Sequence, residues 1–152
     1  MKLVFKDNKI IVFLNKKLDL DKINLENYFK KLFFEIKDKY NLKLNGYYNI
    51  NVYIDKYYGS IIEMEDEDLD YYNYFNQIDM EIKINKTTFL YEIDYEYINK
   101  EILDKTIIYK LNNKLYFKII DQSILNKIIE CSKIIYDDNV REILKISKKV
   151  KI

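Results

Sequence analysis

Residues 23–40 read INLENYFKKLFFEIKDKY, and the spacing of their apolar side chains decides how the rest of the chain is read. Leu25, Tyr28, Phe29, Leu32, Phe33, Ile36 and Tyr40 mostly recur at steps of three and four residues. Such steps return to one side of a helix with 3.6 residues per turn, so the spacing predicts an amphipathic helix with a single apolar stripe. Asn24 stands where an N-cap belongs, with a side-chain oxygen that can accept from an unpaired amide of the first turn. A helix with one stripe has to bury it, and the flanking sequence supplies strands for that purpose.

Upstream, KLVFKDNKIIVFLN (2–15) sets two β-branched and aromatic runs around Asp7-Asn8, which predicts a hairpin. Downstream, GYYNINVYIDKYYGSIIEMED (46–66) alternates Tyr48, Ile50, Val52 and Ile54 with Asn49, Asn51 and Tyr53. That period of two predicts a strand with one apolar face. A turn near Asp55–Gly59 leads to a second strand over Ser60–Glu65, and Gly59 reads as the residue that supplies a positive φ there. The first 66 residues are therefore expected to form a ββαββ module.

The second half repeats the theme. QIDMEIKIN (77–85) alternates strictly through Ile78, Met80, Ile82 and Ile84, and Asn85-Lys86 can turn the chain into TTFLYEID (87–94). A short helix is expected over Tyr95–Leu103, with Ile98, Ile102 and Leu103 inward. TIIYK (106–110) and KLYFKII (114–120) flank Asn112-Asn113 as a hairpin, and Asp121 can cap a helix using Ile124, Leu125, Ile128, Ile129 and Ile135. The tail NVREILKISKKVKI (139–152) fits strand and helix equally well. The expected fold class is α+β: two small modules of hairpins, each with one or two helices packed on an antiparallel sheet. Their bounds are read as 1–66 (ββαββ) and 77–152 (ββαββα and the tail), joined by an acidic and aromatic linker over 67–76.

Composition narrows the function by exclusion. Apolar residues make up 49% of the 152 and aromatics 16%, a globular composition. With 26 basic and 25 acidic residues the net charge is +1, which argues against a nucleic-acid or membrane-surface binder that works by bulk charge. No apolar run approaches the roughly 18 residues of a membrane span, and MKLVFKDNKI (1–10) has no uninterrupted apolar core of the signal-peptide kind. Cys131, the single cysteine, cannot form an internal disulfide and reads as a small buried side chain. A reducing, cytoplasmic setting is expected. With no histidine, neither a Ser-His-Asp nor a Cys-His arrangement can be built, nor a histidine metal site. Two isolated glycines, Gly46 and Gly59, cannot make a phosphate-cradling loop. We therefore expect a non-enzymatic protein with no cofactor and no bound metal.

The stretch EMEDEDLD (63–70) tests that expectation, because six of its eight residues are acidic. Asp66, Asp68 and Asp70 alternate as in a calcium loop, yet Tyr71 occupies the glycine position and Gln77 the closing carboxylate position. A carboxylate pair for glycoside hydrolysis needs an apolar cleft that raises one pKa, and crowded acidic residues do not suggest one. A phosphate mimic is a further alternative. The reading adopted is a solvated connector held extended by charge repulsion, with Glu63 and Glu65 still inside the preceding strand. The basic tail Lys145, Lys148, Lys149 and Lys151 reads likewise as a solvated face, or as a docking patch for an acidic partner.

The order of elements resembles that of the MecA adaptor family of low-GC Gram-positive bacteria. The stretches that carry the likeness are MKLVFKDNKIIVFLN, LENYFKKLFFEIKDKY and NGYYNINVYIDKYYGSIIEMED, then EDEDLD in the place of the family's acidic linker, then residues 87–150. The likeness covers roughly 1–66 and 87–152 and consists of element order and apolar pattern. It implies a protein-binding role: the first module holds a client protein, and the second docks on a Clp-type AAA+ unfoldase. A tether between them raises the effective concentration of client at the unfoldase. Under that resemblance Tyr109, Lys114, Tyr116 and Lys118 of the LNNKLYF hairpin and its flanks become candidate partner-binding residues, with Lys145, Lys148 and Lys149 of the tail beside them. Two other readings use the same residues: a phage- or mobile-element-encoded inhibitor that blocks one host enzyme, and a homodimer that pairs edge strands such as Ile78–Ile84 across a two-fold axis.

Overall fold

The Asp7-Asn8 turn closes the first hairpin: strands β1 (Lys2–Lys6) and β2 (Lys9–Phe13) pair antiparallel, with Leu3 opposite Val12 and Phe5 opposite Ile10. The computed structural model describes residues 1–21, 23–42, 46–67 and 78–151. Helix α1 (Leu25–Tyr40) follows, with the Asn24 side chain accepting from the Asn27 amide at 3.2 Å. It ends where Asn41 takes a left-handed conformation (φ 52°) and returns its amide to the Lys37 carbonyl, a stop that needs a residue tolerant of positive φ. Its stripe buries Phe29, Leu32, Phe33 and Ile36. At about 1.5–3 kcal/mol per buried large apolar side chain, these four supply about 6–12 kcal/mol of gross burial energy before chain entropy is counted.

Strand β3 (Gly46–Asp55) alternates as expected through the buried Tyr48, Ile50 and Val52. β4 (Gly59–Asp66) pairs with β2, setting Ile10 opposite Met64 and Val12 opposite Ile62. Gly59 does supply a positive φ (107°), but a second constraint acts on it: a Cβ there would lie 2.7 Å from both the N and C atoms of Lys16. Glu63 and Glu65 lie inside β4, as expected, and Glu63 is 3.9 Å from the Lys9 ammonium. Glu67 holds the Tyr47 carbonyl through its amide, at 2.9 Å, and accepts from the Asn49 side chain. The rest of the expected linker falls outside the described residues.

The first departure comes at β5 (Ile78–Lys86). The sequence pattern makes it the opening strand of the second module, turning through Asn85-Lys86 into its hairpin partner. Instead it ends the first sheet, whose order is β1-β2-β4-β3-β5. β6 (Leu90–Ile93) lies in the middle of the second sheet, whose order is β10-β7-β8-β6-β9. The reason is in the side chains. β5 is apolar on alternate positions only and suits a sheet edge, whereas Leu90, Tyr91 and Ile93 are all buried and suit an interior strand.

The second sheet is completed by β7 (Thr106–Leu111), β8 (Lys114–Ile119), β9 (Ser132–Ile135) and β10 (Lys148–Val150). Asn112 and Asn113 both have positive φ (50° and 65°), as a two-residue hairpin turn of the primed type requires, and Leu111 faces Lys114 across it. The helix expected over Tyr95–Leu103 resolves into a 3-10 turn (Tyr95–Tyr97) and α2 (Lys100–Asp104), which Asn99 caps at 3.0 Å from the Ile102 amide. Asp121 caps a 3-10 turn (Gln122–Ile124) that leads into α3 (Leu125–Cys131). Ile135, read as helical, is in β9, where it faces Leu90. An interior strand needs hydrogen-bond partners on both sides, and β9 supplies the second side of β6. The ambiguous tail is both things in succession: α4 (Asn139–Ile146), then β10 paired with β7.

The described residues thus form an α+β fold with two five-stranded, antiparallel-rich sheets and four α-helices. They group into two compact units, and the bounds differ from those read in the sequence. The first comprises 1–53 and 59–85, the second 54–58 and 86–152. No described helix is long and apolar enough to cross a membrane.

Candidate interaction surfaces

Among the described residues of the first unit, the large apolar side chains left exposed are Met1, Phe5 on β1, and Phe34 and Tyr40 on α1. Phe34 lies off the stripe that α1 buries and is 57% exposed. Phe5, on the edge strand β1, meets Tyr40, in the last turn of α1, edge to face with ring centroids 5.5 Å apart, and both rings are largely exposed. The Lys39 ammonium stands 5.7 Å from the centre of the Tyr40 ring. Aromatic rings held in place by one another and flanked by cations are the side chains that anchor protein interfaces.

In the second unit the tail residues lie on a surface of similar character. α4 buries Val140 and Ile143 against the sheet and leaves Leu144 and Ile146 outside, the latter 62% exposed. Lys145, Lys148 and Lys149 are exposed alongside them. The pairing of β10 with β7 sets Lys149 opposite Tyr109 and Lys148 opposite Lys110. Tyr109 in turn faces Tyr116, Tyr116 faces Glu92, and Glu92 faces Lys133. Sequence-distant candidates are thereby brought into one row across the sheet.

Within that row the residues play different parts. Tyr116 is only 8% exposed and packs with Leu90, Val140 and Ile143, so its ring serves the core. Tyr109 is half-buried against the same cluster. Lys114 forms an ion pair with Glu92 at 3.2 Å, and that carboxylate raises the pKa of the ammonium above its ordinary value. Lys118 is half-buried in β8.

A buried polar group in the second unit escaped the sequence reading. Asp55 is 4% exposed, and its two carboxylate oxygens accept three backbone amides, those of Tyr57, Tyr58 and Phe89, each at 2.9 Å. The first two bonds form a local turn that Asp-Lys-Tyr-Tyr-Gly could have suggested. The third, to a residue 34 positions away, had no local signal. Near it, the Tyr91 hydroxyl is buried with no hydrogen-bond partner among the described residues. Burial, and after it the charge of Asp55, push that phenol far above the usual tyrosine range.

The Asp55 oxygens are occupied by amides, and a phenol held neutral can donate a proton but is not a base. The Cys131 thiol is raised by burial and its Sγ lies 3.3 Å from the Lys127 carbonyl oxygen, the reverse of the low pKa that marks a reactive cysteine. No group of three or more carboxylates or thiols among the described residues could hold a metal ion. Comparison with protein-family models, with curated proteins and with solved structures gives no match.

Proposed function

We propose that this protein works without catalysis, by binding other proteins, and that its specific role is a cytoplasmic adaptor that presents clients to a Clp-type AAA+ unfoldase. The observation that carries the reading is the exposed Phe5–Tyr40 pair with Phe34, because aromatic rings left in water are costly unless a partner covers them. The first unit would hold the client through these rings. The second would dock through the α4–β10 surface, with Leu144 and Ile146 as apolar contacts and Lys145, Lys148 and Lys149 meeting acidic residues. The element order shared with the MecA family supports the assignment of these roles.

The test is affinity purification of a tagged copy from cells of the source organism, followed by assay of ATPase stimulation with the purified unfoldase. A Clp-type ATPase in the eluate is expected. Replacing Lys145, Lys148 and Lys149 by Glu should abolish its stimulation, while replacing Phe5 and Tyr40 by Ser should leave stimulation intact and release the client. Absence of both binding and stimulation overturns the adaptor role. Stoichiometric capture of one unrelated enzyme, inhibited in the complex, would instead identify an inhibitor.

A further inference from the structure

Among the described residues, the four strands that end the two sheets are not equivalent. β1 has five residues, β9 four and β10 three, whereas β5 has nine. An exposed strand edge is a template for a further strand, and natural edges are commonly kept short or lined with lysine to prevent it. Pairing the full length of β1 with a copy of itself would set Lys2 against Lys6. β10 would set Lys149 against Lys149. Full overlap of β9 would oppose Lys133 to Ile134 and so mix the two faces.

β5 behaves differently. Its half-buried face carries Ile78, Met80, Ile82 and Ile84, and its exposed face Asp79, Glu81 and Lys83. A two-fold axis through Ile82 keeps the faces matched over residues 79–85, with Ile82 opposite Ile82 of the second copy and Met80 opposite Ile84; only at the two ends does Ile78 meet the exposed Lys86. On the other face Glu81 meets Lys83 of the second copy, and by symmetry this happens twice. Sliding the axis to residue 81 sets Glu81 against Glu81, and sliding it to residue 83 sets Lys83 against Lys83. A slip by an odd number of positions puts the apolar face against the polar one. About residue 81, Asp79 would also meet Lys83, but at the cost of the central Glu81 against Glu81; among the face-matched registers, the one about Ile82 alone pairs opposite charges without opposing like ones.

We infer that the β5 edge is a homodimer interface, in which two copies of this chain pair antiparallel about Ile82 to make a continuous ten-stranded sheet. The inference is independent of the client and unfoldase roles proposed above, since it rests on the charge pattern of β5 and its place at the end of the sheet.

Light scattering coupled to size exclusion, over a wide concentration range, reads the dimer directly. Lys83→Glu replaces two attractive cross-strand pairs by two repulsive ones, and should raise the dissociation constant about tenfold or more. Glu81→Lys should do the same. The double exchange Glu81→Lys with Lys83→Glu should restore the dimer, and an equimolar mixture of the two single variants should form a heterodimer. Both sites are exposed, so unchanged far-ultraviolet circular dichroism is the control for folding. A wild-type chain that stays monomeric at every concentration overturns the inference, and so does a dimer indifferent to these exchanges.

Discussion

Asp55 does the work of a rivet. Removing its carboxylate leaves the amides of Tyr57, Tyr58 and Phe89 without their acceptor in a buried site. An unsatisfied buried donor costs about 1–3 kcal/mol, and carboxylate acceptors are the stronger kind. Asp55→Ala is therefore expected to lower stability by about 3 kcal/mol or more in urea unfolding, with Asp55→Asn intermediate because one acceptor oxygen remains. Tyr48 offers a test by pH. Its phenol is pushed up from 10.0 to about 12 by burial first and by the charge of Asp66 second. The neutral form is the one the fold favours. The contribution is thus fully present below about pH 10 and is lost as pH rises through about 12, where it amounts to on the order of 2 kcal/mol. Tyr48→Phe should flatten the fall of stability with pH across that window. An unchanged slope would show that Tyr48 ionises without hindrance.

At the level of elements, the β3–β4 connection is the most constrained. Gly59 combines a positive φ with backbone packing against Lys16 so close that no side chain fits. Gly59→Ala must strain the backbone and displace the Lys16 segment together, which predicts a loss of about 2–4 kcal/mol. A loss below 1 kcal/mol, measured by denaturant midpoint at constant slope, would mean that the segment yields freely. The helix stripe, the Asn24 cap and the Asn112-Asn113 turn were legible in the sequence because each is set by residues within a few positions of one another. The tail was not. NVREILKI makes a helix with Val140 and Ile143 inward, and KKV makes a strand only because β7 has an edge to offer. The candidate residues divide in the same way. Lys145, Lys148 and Lys149 were legible as surface charges, whereas the burial of Tyr116 depends on α4 packing over it.

For the whole molecule, the grouping of 54–58 with the second unit matters most. Besides the Asp55 bonds, the Tyr57 hydroxyl donates to the Ile120 carbonyl and the Gln122 side chain donates to the Tyr57 carbonyl, both at 3.2 Å. A fragment covering 86–152 lacks that turn, and should show neither cooperative unfolding nor a full near-ultraviolet dichroism signal, whereas 54–152 should recover much of the signal. Native-like order in the shorter fragment would refute the dependence. The chain by itself determined the α+β class and most of its strands and helices, though not those of the tail or β9, because apolar periodicity reports which face of each element leaves water. Periodicity does not say which sheet receives that face. The tertiary structure alone decided that β5 closes the first sheet, that β9 and β10 flank the second, and that Asp55 reaches Phe89. Each of these rests on hydrogen bonding between residues tens of positions apart, whose partners no local pattern encodes.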